Sequence, residues 1–430
     1  MRILAVYKHY WPDTTPYARL LRTILEHRAA EARCTVFTAQ PSYNDAAVDR
    51  QPDRETLGGV DVVRCWTPPE RKRFAFTRLI AAAWFLAAAV MFAWRRRRDY
   101  DVLLANVHPP VLIGLALRAI GRLTGKPFVL HMQDIHPEAS AAVGVMRDNR
   151  RTRLLRRIDT ANCRAAWRIV ALSEDMKRTL CERDASLAPK VRVVNNFALE
   201  SFEQPRLAAN ASERSPESSG VRSAPDRSRL NGRFRVLFAG NLGRFQNLPR
   251  LVDAAKRLDD AFEVVFMGGG LMLPELKRLA AGVPNVTFLP HAPVEAAVAE
   301  MRRSDLGVVS LSPGVCRVAY PSKCMTYLSA GLPLLALVED DSDLAREVRD
   351  HDFGHAPGQV EGEALADAIR TAAKRTWSSE DRAALAERAG RHFGAGKALA
   401  AWDGIAEEWG SRAAGAVCEA GHDGPMRRAA

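Results

Sequence analysis

Hydrophobic residues in the first half of the chain fall in short continuous runs, and longer segments of helical periodicity separate these runs. Strands that are buried on both faces have this apolar pattern, and their alternation with helices is typical of a parallel, doubly wound sheet. The pattern predicts seven strands, at Ile3–Tyr7, Cys34–Thr38, Val60–Trp66, Val102–Asn106, Phe128–Met132, Ile169–Ser173 and Val191–Asn195.

A second series of the same kind begins after an interruption. Residues 199–232 are rich in Ser, Pro, Glu and Arg, a composition that predicts a linker. Beyond it the predicted strands are Phe234–Ala239, Phe262–Met267, Val286–Leu289, Leu306–Leu311 and Leu334–Leu337. The two series predict an α/β fold with two tandem Rossmann-like domains facing a cleft, which the carboxyl ends of the strands would line.

The same pattern sets the expected domain boundaries. We expect an N-terminal domain over residues 1–198 and a C-terminal domain over residues 233–395. A helix at 396–410, with two tryptophans, is expected to pack back on the N-terminal domain. Residues 411–430 are rich in Gly, Ala and Arg and are predicted to form a disordered tail.

Composition narrows the class of partner. The chain has 62 Lys and Arg against 50 Asp and Glu, a net charge of +12, which favours an anionic partner. It shows no aromatic RNA-binding signature, Cys/His finger or basic heptad array, so nucleic acid is the weakest candidate. The seven cysteines are scattered without C-x-x-C spacing, which argues against a zinc site or a disulfide framework and for a reducing compartment. Met1-Arg2 leads directly into the first strand, so no cleavable signal is predicted.

The stretch from Ser312 to Leu337 contains a candidate anion site. Pro321 can open a helix and Gly331 can close it in the left-handed conformation. Amides near Ser322 would then point out of the helix N-terminus beside the ammonium of Lys323, an arrangement that fits a diphosphate. A plain helix with a surface lysine in its first turn explains this stretch equally well.

Two glycine-rich loops follow strands of the same domain. Gly240 and Gly243 would let the backbone approach a phosphate closely, and Arg244 adds a permanent cation. A second loop, with Gly269 at its centre, follows the next strand. Either loop alone is weak evidence, because many connections use glycine simply to turn. Their convergence with Lys323 favours a nucleotide-diphosphate site.

The first domain offers candidate residues for the other substrate. Asp134 follows the strand Phe128–Met132, where it can accept a hydrogen bond from a sugar hydroxyl or act as a base. The alternative is an aspartate that caps the next helix. His9 and His108 follow two other strands and are candidates for acceptor contacts, although loop histidines are more often merely solvated.

Taken together, these motifs resemble a known family. Y-x-x-x-x-P, N-V-H-P-P, Q-D-I-H-P-E, A-L-S-E, A-G-N-L-G, a G-G-G loop and Y-P-S-K…Y-L-S-A-G occur in this order. The set resembles the retaining glycosyltransferases of family 4, in particular the subgroup that builds bacterial exopolysaccharides such as colanic acid. The resemblance covers roughly residues 1–410 and implies the two-domain fold called GT-B.

The resemblance also implies roles for individual residues. Gly240, Asn241, Arg244 and Lys323 are expected to hold the donor diphosphate, and Asp134 to lie against the acceptor or the transferred sugar. The catalytic residues predicted on this basis are Asp134, Lys323 and Arg244. The donor-binding residues predicted are Gly240, Asn241, Gly243, Gly269, Ser322 and Thr326.

Three positions depart from the family pattern. The family usually has two glutamates eight positions apart around this helix start, and Val318 and Thr326 stand in their places. The second glutamate normally binds the donor ribose, so Thr326 is expected to lie beside the nucleoside. Gln246 stands where the glycine loop usually has a lysine.

Leu79–Trp94 is an apolar segment between two groups of basic residues. Sixteen helical residues span about 24 Å, less than the roughly 30 Å of a hydrocarbon core. We therefore predict a helix that lies in the membrane interface and does not cross it. Two tryptophans and Arg95–Arg98 favour this interpretation over a buried crossover helix. Residues 79–98 would bind an anionic membrane surface.

The sequence thus predicts a hexosyltransferase at the cytoplasmic face of the inner membrane, associated with it peripherally. It would move a sugar from a nucleotide-diphosphate donor to a lipid-linked or saccharide acceptor in exopolysaccharide or cell-surface glycan synthesis. The resemblance implies retention of anomeric configuration and no metal or other cofactor. Two alternatives remain at this stage. One is a nucleotide-sugar epimerase, and the other is a non-catalytic scaffold subunit, which Val318 and Thr326 would suit.

Overall fold

A computed structural model of the chain describes residues 1–13, 15–41, 50–70, 75–142, 144, 146–147, 149–198 and 232–422. Residues 199–231 of the predicted linker lie outside the described residues. The chain forms two compact units. The first comprises Met1–Phe197, Arg317–Tyr320 and Phe393–Ala430, and the second comprises Ala198–Cys316 and Pro321–His392.

The first unit contains an eight-stranded sheet in the order β3-β4-β2-β1-β5-β6-β7-β8. All neighbours pair in parallel except β3 and β4. The predicted strands are all present, and the structure adds the edge strand β3, whose partly exposed residues give no apolar signal. The bounds are β1 Arg2–Val6, β2 Arg33–Ala39, β3 Arg54–Leu57, β4 Val60–Cys65, β5 Val102–Asn106, β6 Phe128–His131, β7 Arg168–Ala171 and β8 Val191–Val193.

Helices connect these strands and cover the sheet. They are α1 Pro16–Ala29, α2 Ala75–Arg95, α3 Leu112–Thr124, α4 Glu138–Ala142, α5 Arg150–Ala165 and α6 Glu174–Arg183. Helix α2 has 21 residues, so it extends about 32 Å and not the 24 Å expected from the sequence. By length and composition Phe76–Arg95 could cross a membrane. The argument from insufficient length is therefore wrong.

The C-terminal helix α14 (Ala395–His422) belongs to the first unit. Trp402 is buried, with its ring 5.0 Å from that of His131. Glu408 pairs with Arg168 and Arg192 at 2.7 and 3.0 Å. The helix continues to His422, which corrects the prediction of an irregular tail from residue 411. Residues 423–430 lie outside the described part of the chain.

The second unit contains a six-stranded, all-parallel sheet in the order β11-β10-β9-β12-β13-β14. The strands are β9 Phe234–Ala239, β10 Phe262–Met267, β11 Val286–Leu289, β12 Leu306–Ser310, β13 Leu334–Leu337 and β14 Gly354–His355. The first five match the predicted runs, whereas β14 is too short to show a pattern. The helices are α7 Pro249–Ala255, α8 Leu273–Leu279, α9 Val294–Arg303, α10 Lys323–Ser329, α11 Asp343–Asp350, α12 Gly362–Ala373 and α13 Ser379–Phe393. The two-domain, Rossmann-like fold predicted from the sequence is confirmed.

Candidate active site

The two glycine-rich loops of the second unit pack against each other at the carboxyl edge of the sheet. A Cβ at Gly268, whose φ is +132°, would lie 2.2 Å from the carbonyl oxygen of Gly240. A Cβ at Gly270 would lie 2.5 Å from the carbonyl oxygen of Leu242. Such contacts exclude any side chain, so these glycines are required for the loops to meet. Gly269 instead has open space around it.

Gln246 shapes the first of these loops. Its side-chain oxygen accepts a hydrogen bond of 3.1 Å from the amide of Gly243. A Cβ at Gly243 would approach that oxygen to 3.0 Å and the side chain of Asn241 to 2.9 Å. Gln246 therefore holds the turn that precedes Arg244, at the position where the family usually has a lysine.

Lys323 places a buried cation beside this loop. Its Nζ lies 3.5 Å from the ring centroid of Phe238 and has no hydrogen-bond partner among the described residues. A Cβ at Gly240 would be 3.8 Å from it, so the ammonium and the loop backbone border the same space. Burial lowers the pKa of Lys323 to about 7, and the contact with the aromatic face partly offsets this by favouring the ammonium.

Tyr327 holds the helix that carries Lys323. Its hydroxyl oxygen accepts a hydrogen bond of 2.6 Å from the amide of Ala239 at the end of β9. Lys323 is one turn earlier on the same face of α10, so this bond directs its side chain towards the glycine loop. A Cβ at Gly307 on β12 would lie 2.9 Å from the Tyr327 ring, which shows how closely the helix approaches the sheet.

The start of α10 differs from the prediction by two residues. The helix begins at Lys323, with Ser322 as its N-cap, so Pro321 precedes the helix and does not form its first residue. Gly331 follows the helix with a φ of +71°, the left-handed conformation that was predicted. The helix has only seven residues, so the Lys323 charge is the stronger part of this anion site.

The other predicted donor residues have exposed side chains. These are Asn241, Arg244, Ser322 and Thr326. Within the described chain, the guanidinium of Arg244 forms no ion pair or hydrogen bond, although its carbonyl accepts one from Ser312 Oγ at 3.2 Å. The structure thus brings Gly240 and Lys323 together directly, and Gly243 and Arg244 follow in the same loop.

Asp134 lies in the first unit, in the loop after β6. Its backbone forms an antiparallel bridge with Ala319, and the adjacent Ile135 amide donates a 2.8 Å hydrogen bond to the Val318 carbonyl. Burial raises the pKa of Asp134 to about 6. Helix α4 begins four residues later, at Glu138, so Asp134 is not its N-cap. The helix-cap alternative is therefore wrong.

Arg183 fixes the far end of the Asp134 loop. At the end of α6 it donates to Asp159 and Glu138, both at 2.5 Å, and to the carbonyl of His136 at 3.1 Å. The Arg183 and Asp159 side chains are only 5% and 6% exposed, so this is a buried charge cluster. Sequence reasoning missed it, because its three charged members are far apart in the chain.

The two candidate histidines have different environments. His9 is buried, and its Nδ1 lies 3.1 Å from Asp13 Oδ2. His108 is exposed, and its ring centroid lies 6.1 Å from that of His9. Their proximity keeps both as candidates for an acceptor contact in the first unit.

Comparison with known proteins connects this fold and these residues to a family. A family model described as a glycosyl transferase 4-like domain matches residues 14–196. The putative colanic acid biosynthesis glycosyl transferase WcaI of Escherichia coli K12 is 22% identical over 342 residues, covering 77% of this chain and 82% of that protein. The probable glycosyltransferase WbjE of Pseudomonas aeruginosa is 24% identical over 266 residues, covering 60% of this chain and 62% of that protein.

Solved structures share the fold. The Anabaena HepE structure in complex with UDP and glucose has a TM-score of 0.63 at 16% identity, covering 96% of this chain and all of that one. Sucrose-phosphate synthase from Thermosynechococcus elongatus has a TM-score of 0.69 at 15% identity, with the same coverage. The chain thus has the architecture of a GT-B enzyme.

The family model and the curated relatives agree with the resemblance that the motifs indicated. Residues 14–196 match a glycosyl transferase 4-like domain, and both curated relatives are named as glycosyltransferases, one of them in colanic acid biosynthesis.

Replacing Lys323 with Ala should weaken the binding of a nucleoside diphosphate at least tenfold. The change removes a charge-assisted contact worth about 1.5–3 kcal/mol. Calorimetry with UDP measures it, and Lys277→Ala, which removes an exposed lysine of α8, is the matched control. Equal affinity in the Lys323 variant and the wild type would contradict the assignment.

The binding of UDP should also be coupled to protonation of Lys323. Because the pKa of Lys323 is lowered to about 7, the side chain is largely neutral at pH 8, and a bound diphosphate would favour its charged form. We expect proton uptake on UDP binding at pH 8, and an affinity that falls as the pH rises above 7. Calorimetry in two buffers of different ionisation enthalpy measures the uptake, which should disappear in Lys323→Ala.

Arg183→Met should destabilise the first unit by about 3–5 kcal/mol, because the buried Asp159 carboxylate loses its cation and Glu138 keeps only Arg156. Urea unfolding measures the loss. Arg178→Met on the same helix removes a half-exposed arginine, 3.6 Å from Asp175, and should cost no more than about 1 kcal/mol. Similar losses in the two variants would show that the cluster does not stabilise the loop.

Proposed function

We propose that this enzyme transfers a hexose from a nucleotide-diphosphate sugar to a lipid-linked or saccharide acceptor in surface polysaccharide synthesis. The observation that carries the donor assignment is the buried, unpartnered ammonium of Lys323 beside Gly240. Anabaena HepE, which has the same fold, forms complexes with UDP and with UDP-glucose. This supports a nucleotide-sugar donor and makes uridine the first base to test.

The residues of the second unit suit electrostatic catalysis. As the bond from the sugar to the diphosphate breaks, negative charge grows on the leaving phosphate oxygens. Lys323 already lies in a desolvated position, where its charge acts more strongly than in water. Arg244 can add a second cation without first breaking an ion pair. We also propose that the reaction retains the anomeric configuration and needs no metal ion. Full activity in the presence of EDTA would support metal independence.

Asp134 is proposed to serve the acceptor side. The bridge to Ala319 and the Arg183 cluster fix its loop at two points. Because its pKa is raised to about 6, the carboxylate is ionised at neutral pH but basic enough to accept a proton from a hydroxyl. A positioned, weakly basic carboxylate is what deprotonation of an acceptor hydroxyl needs.

Asp134→Asn should abolish most sugar transfer and leave UDP affinity near that of the wild type. In the wild-type enzyme, kcat should fall as the pH drops through about 6, because the carboxylate becomes protonated. Transfer and calorimetric titration are measured on the same preparation. Equal losses of transfer and of UDP binding would place Asp134 on the donor side instead.

Transfer itself is tested with a panel of nucleotide sugars and a membrane extract as the acceptor source. Incorporation of labelled sugar into lipid supports the proposal. Conversion of the donor to an epimer without incorporation would favour the epimerase alternative. Donor binding without turnover of any panel member would favour the scaffold alternative.

We also propose that α2 rests on an anionic membrane surface. One face packs on the first unit, with Ala81, Phe85 and Ala93 fully buried and Phe85 stacked on Phe37 at 5.8 Å. The other face exposes large apolar side chains one or two helical turns apart. They are Phe76, Ile80, Trp84, Met91 and Trp94, each at least 45% exposed.

A continuous apolar stripe of this kind marks a binding surface, whereas scattered exposed apolar residues do not. Trp66, itself exposed, extends the stripe, because its carbonyl accepts a 3.1 Å hydrogen bond from Trp84 Nε1. The exposed Arg95–Arg98 follow directly, and Arg97 lies over the Trp94 ring at 5.6 Å. Interfacial tryptophans beside arginines match an anionic headgroup layer.

Changing Arg95–Arg98 to Ser should weaken flotation with phosphatidylethanolamine–phosphatidylglycerol vesicles, because each arginine contributes roughly 1 kcal/mol near an anionic surface. Adding Ile80→Ser and Trp84→Ser should nearly abolish it. Phosphatidylcholine vesicles should bind less protein, and high salt should release it.

Leu154→Ser, which removes an exposed leucine of α5, is the control and should float like the wild type. A wild type that never floats would contradict the membrane proposal. If instead the wild type dimerises through this stripe and Trp84→Ser is monomeric, the partner of the stripe is a second copy of the chain and not a membrane.

A further inference from the structure

Glu339 is a carboxylate that the sequence did not single out. It follows β13 at the carboxyl edge of the second sheet, after the buried Val338. One carboxylate oxygen, Oε1, accepts a 2.5 Å hydrogen bond from the amide of Gly314. The other, Oε2, is buried and has no hydrogen-bond partner among the described residues.

The position of this carboxylate connects it to the donor loops. Gly314 belongs to the loop after β12, in which Ser312 donates from its amide to the Phe245 carbonyl at 2.7 Å and from its hydroxyl to the Arg244 carbonyl. The Glu339 side chain is therefore attached to the loop that supports Arg244. Strands β9, β12 and β13 are successive neighbours, so Glu339 lies about two strand spacings, roughly 10 Å, from the Gly240 turn.

The nearby cation does not neutralise Glu339. Arg250 is buried and donates to neutral acceptors, namely Ser310 Oγ, Gln359 Oε1 and the carbonyls of Leu311 and Leu337. The negative charges of Glu361 and Glu339 act on it from a distance, but no carboxylate of the described chain forms an ion pair with it. Glu339 Oε2 thus keeps its capacity to accept a hydrogen bond, which a buried carboxylate oxygen strongly requires.

We infer that Glu339 Oε2 accepts a hydrogen bond from a sugar hydroxyl of the bound donor. A hydroxyl suits the site better than a phosphate, which the carboxylate would repel, and the proposed nucleotide-sugar donor has several hydroxyls. Both the nucleoside ribose and the transferred hexose present such hydroxyls. The inference rests on the proposed nucleotide-sugar donor. It assigns the contact with a sugar hydroxyl of that donor to a residue that follows β13.

The test compares Glu339→Gln with the wild type, because glutamine keeps the size of the side chain and an oxygen for the Gly314 amide. The probes are UDP, 2′-deoxy-UDP, UDP-glucose, UDP-galactose and UDP-N-acetylglucosamine, titrated by calorimetry. Asp340→Asn, which removes the exposed neighbouring charge, is the matched control and should bind all probes like the wild type. Thermal melting checks that each variant is folded.

We expect a loss of roughly tenfold in Glu339→Gln, since a hydrogen bond to a charged group is lost. If UDP weakens and 2′-deoxy-UDP does not, the ribose is the partner. If UDP is unchanged and a UDP-sugar weakens, the transferred hexose is the partner. Unchanged affinity for every probe in a folded Glu339→Gln would overturn the inference and leave the donor assignment intact. A wild type that binds none of the probes would instead overturn the assignment of a UDP donor.

Discussion

The second unit is arranged around one desolvated charge. Lys323 Nζ is buried against Phe238 without a hydrogen bond from the described protein, an arrangement that costs free energy unless an anion completes it. The neighbouring residues determine where the ammonium lies and what space surrounds it. Tyr327 fixes the helix one turn later, Gly240 leaves space for a ligand beside the ammonium, and the glycines of the next loop allow the backbones to meet. The fold thus retains an unfavourable charge, which the phosphate of the proposed donor would stabilise.

In the first unit, by contrast, the buried cation has partners within the protein. Arg183 is also buried, but its two terminal nitrogens donate to two carboxylates and a carbonyl. A buried cation that is paired in this way can hold a backbone in one conformation. The segment it holds carries Asp134, whose carboxylate has no such partner among the described residues. Each unit thus contains a polar group without a partner among the described residues, Lys323 Nζ in the second unit and the Asp134 carboxylate in the first. In each case, hydrogen-bonded neighbours fix the segment that carries it.

Most of the fold could be predicted because its central strands are buried on both faces and therefore appear as unbroken apolar runs. The two strands that were missed lack this signal: β3 is a half-exposed edge strand, and β14 has two residues. Lys323 and the glycine loops could be predicted because they are local motifs. Arg183, Tyr327 and Glu339 could not, because their roles depend on contacts with residues 24 to 88 positions away. Gln246 was noticed as a substitution, but its hydrogen bond to the Gly243 amide is visible only in the structure.

The structure offers a physical explanation for the residues that replace the family's pair of glutamates, Val318 and Thr326. Val318 is buried, and its carbonyl accepts the Ile135 amide in a short strand-like contact with the Asp134 loop. A glutamate there would bury a carboxylate, which is costly without a partner, so valine suits the position. Thr326 is exposed on α10 and bears no charge. The carboxylate with an unused oxygen stands instead at Glu339, where the Gly314 amide orients it. The proposed role of Glu339 would therefore give the second unit an acidic group for the donor, although both glutamates are absent from their usual positions.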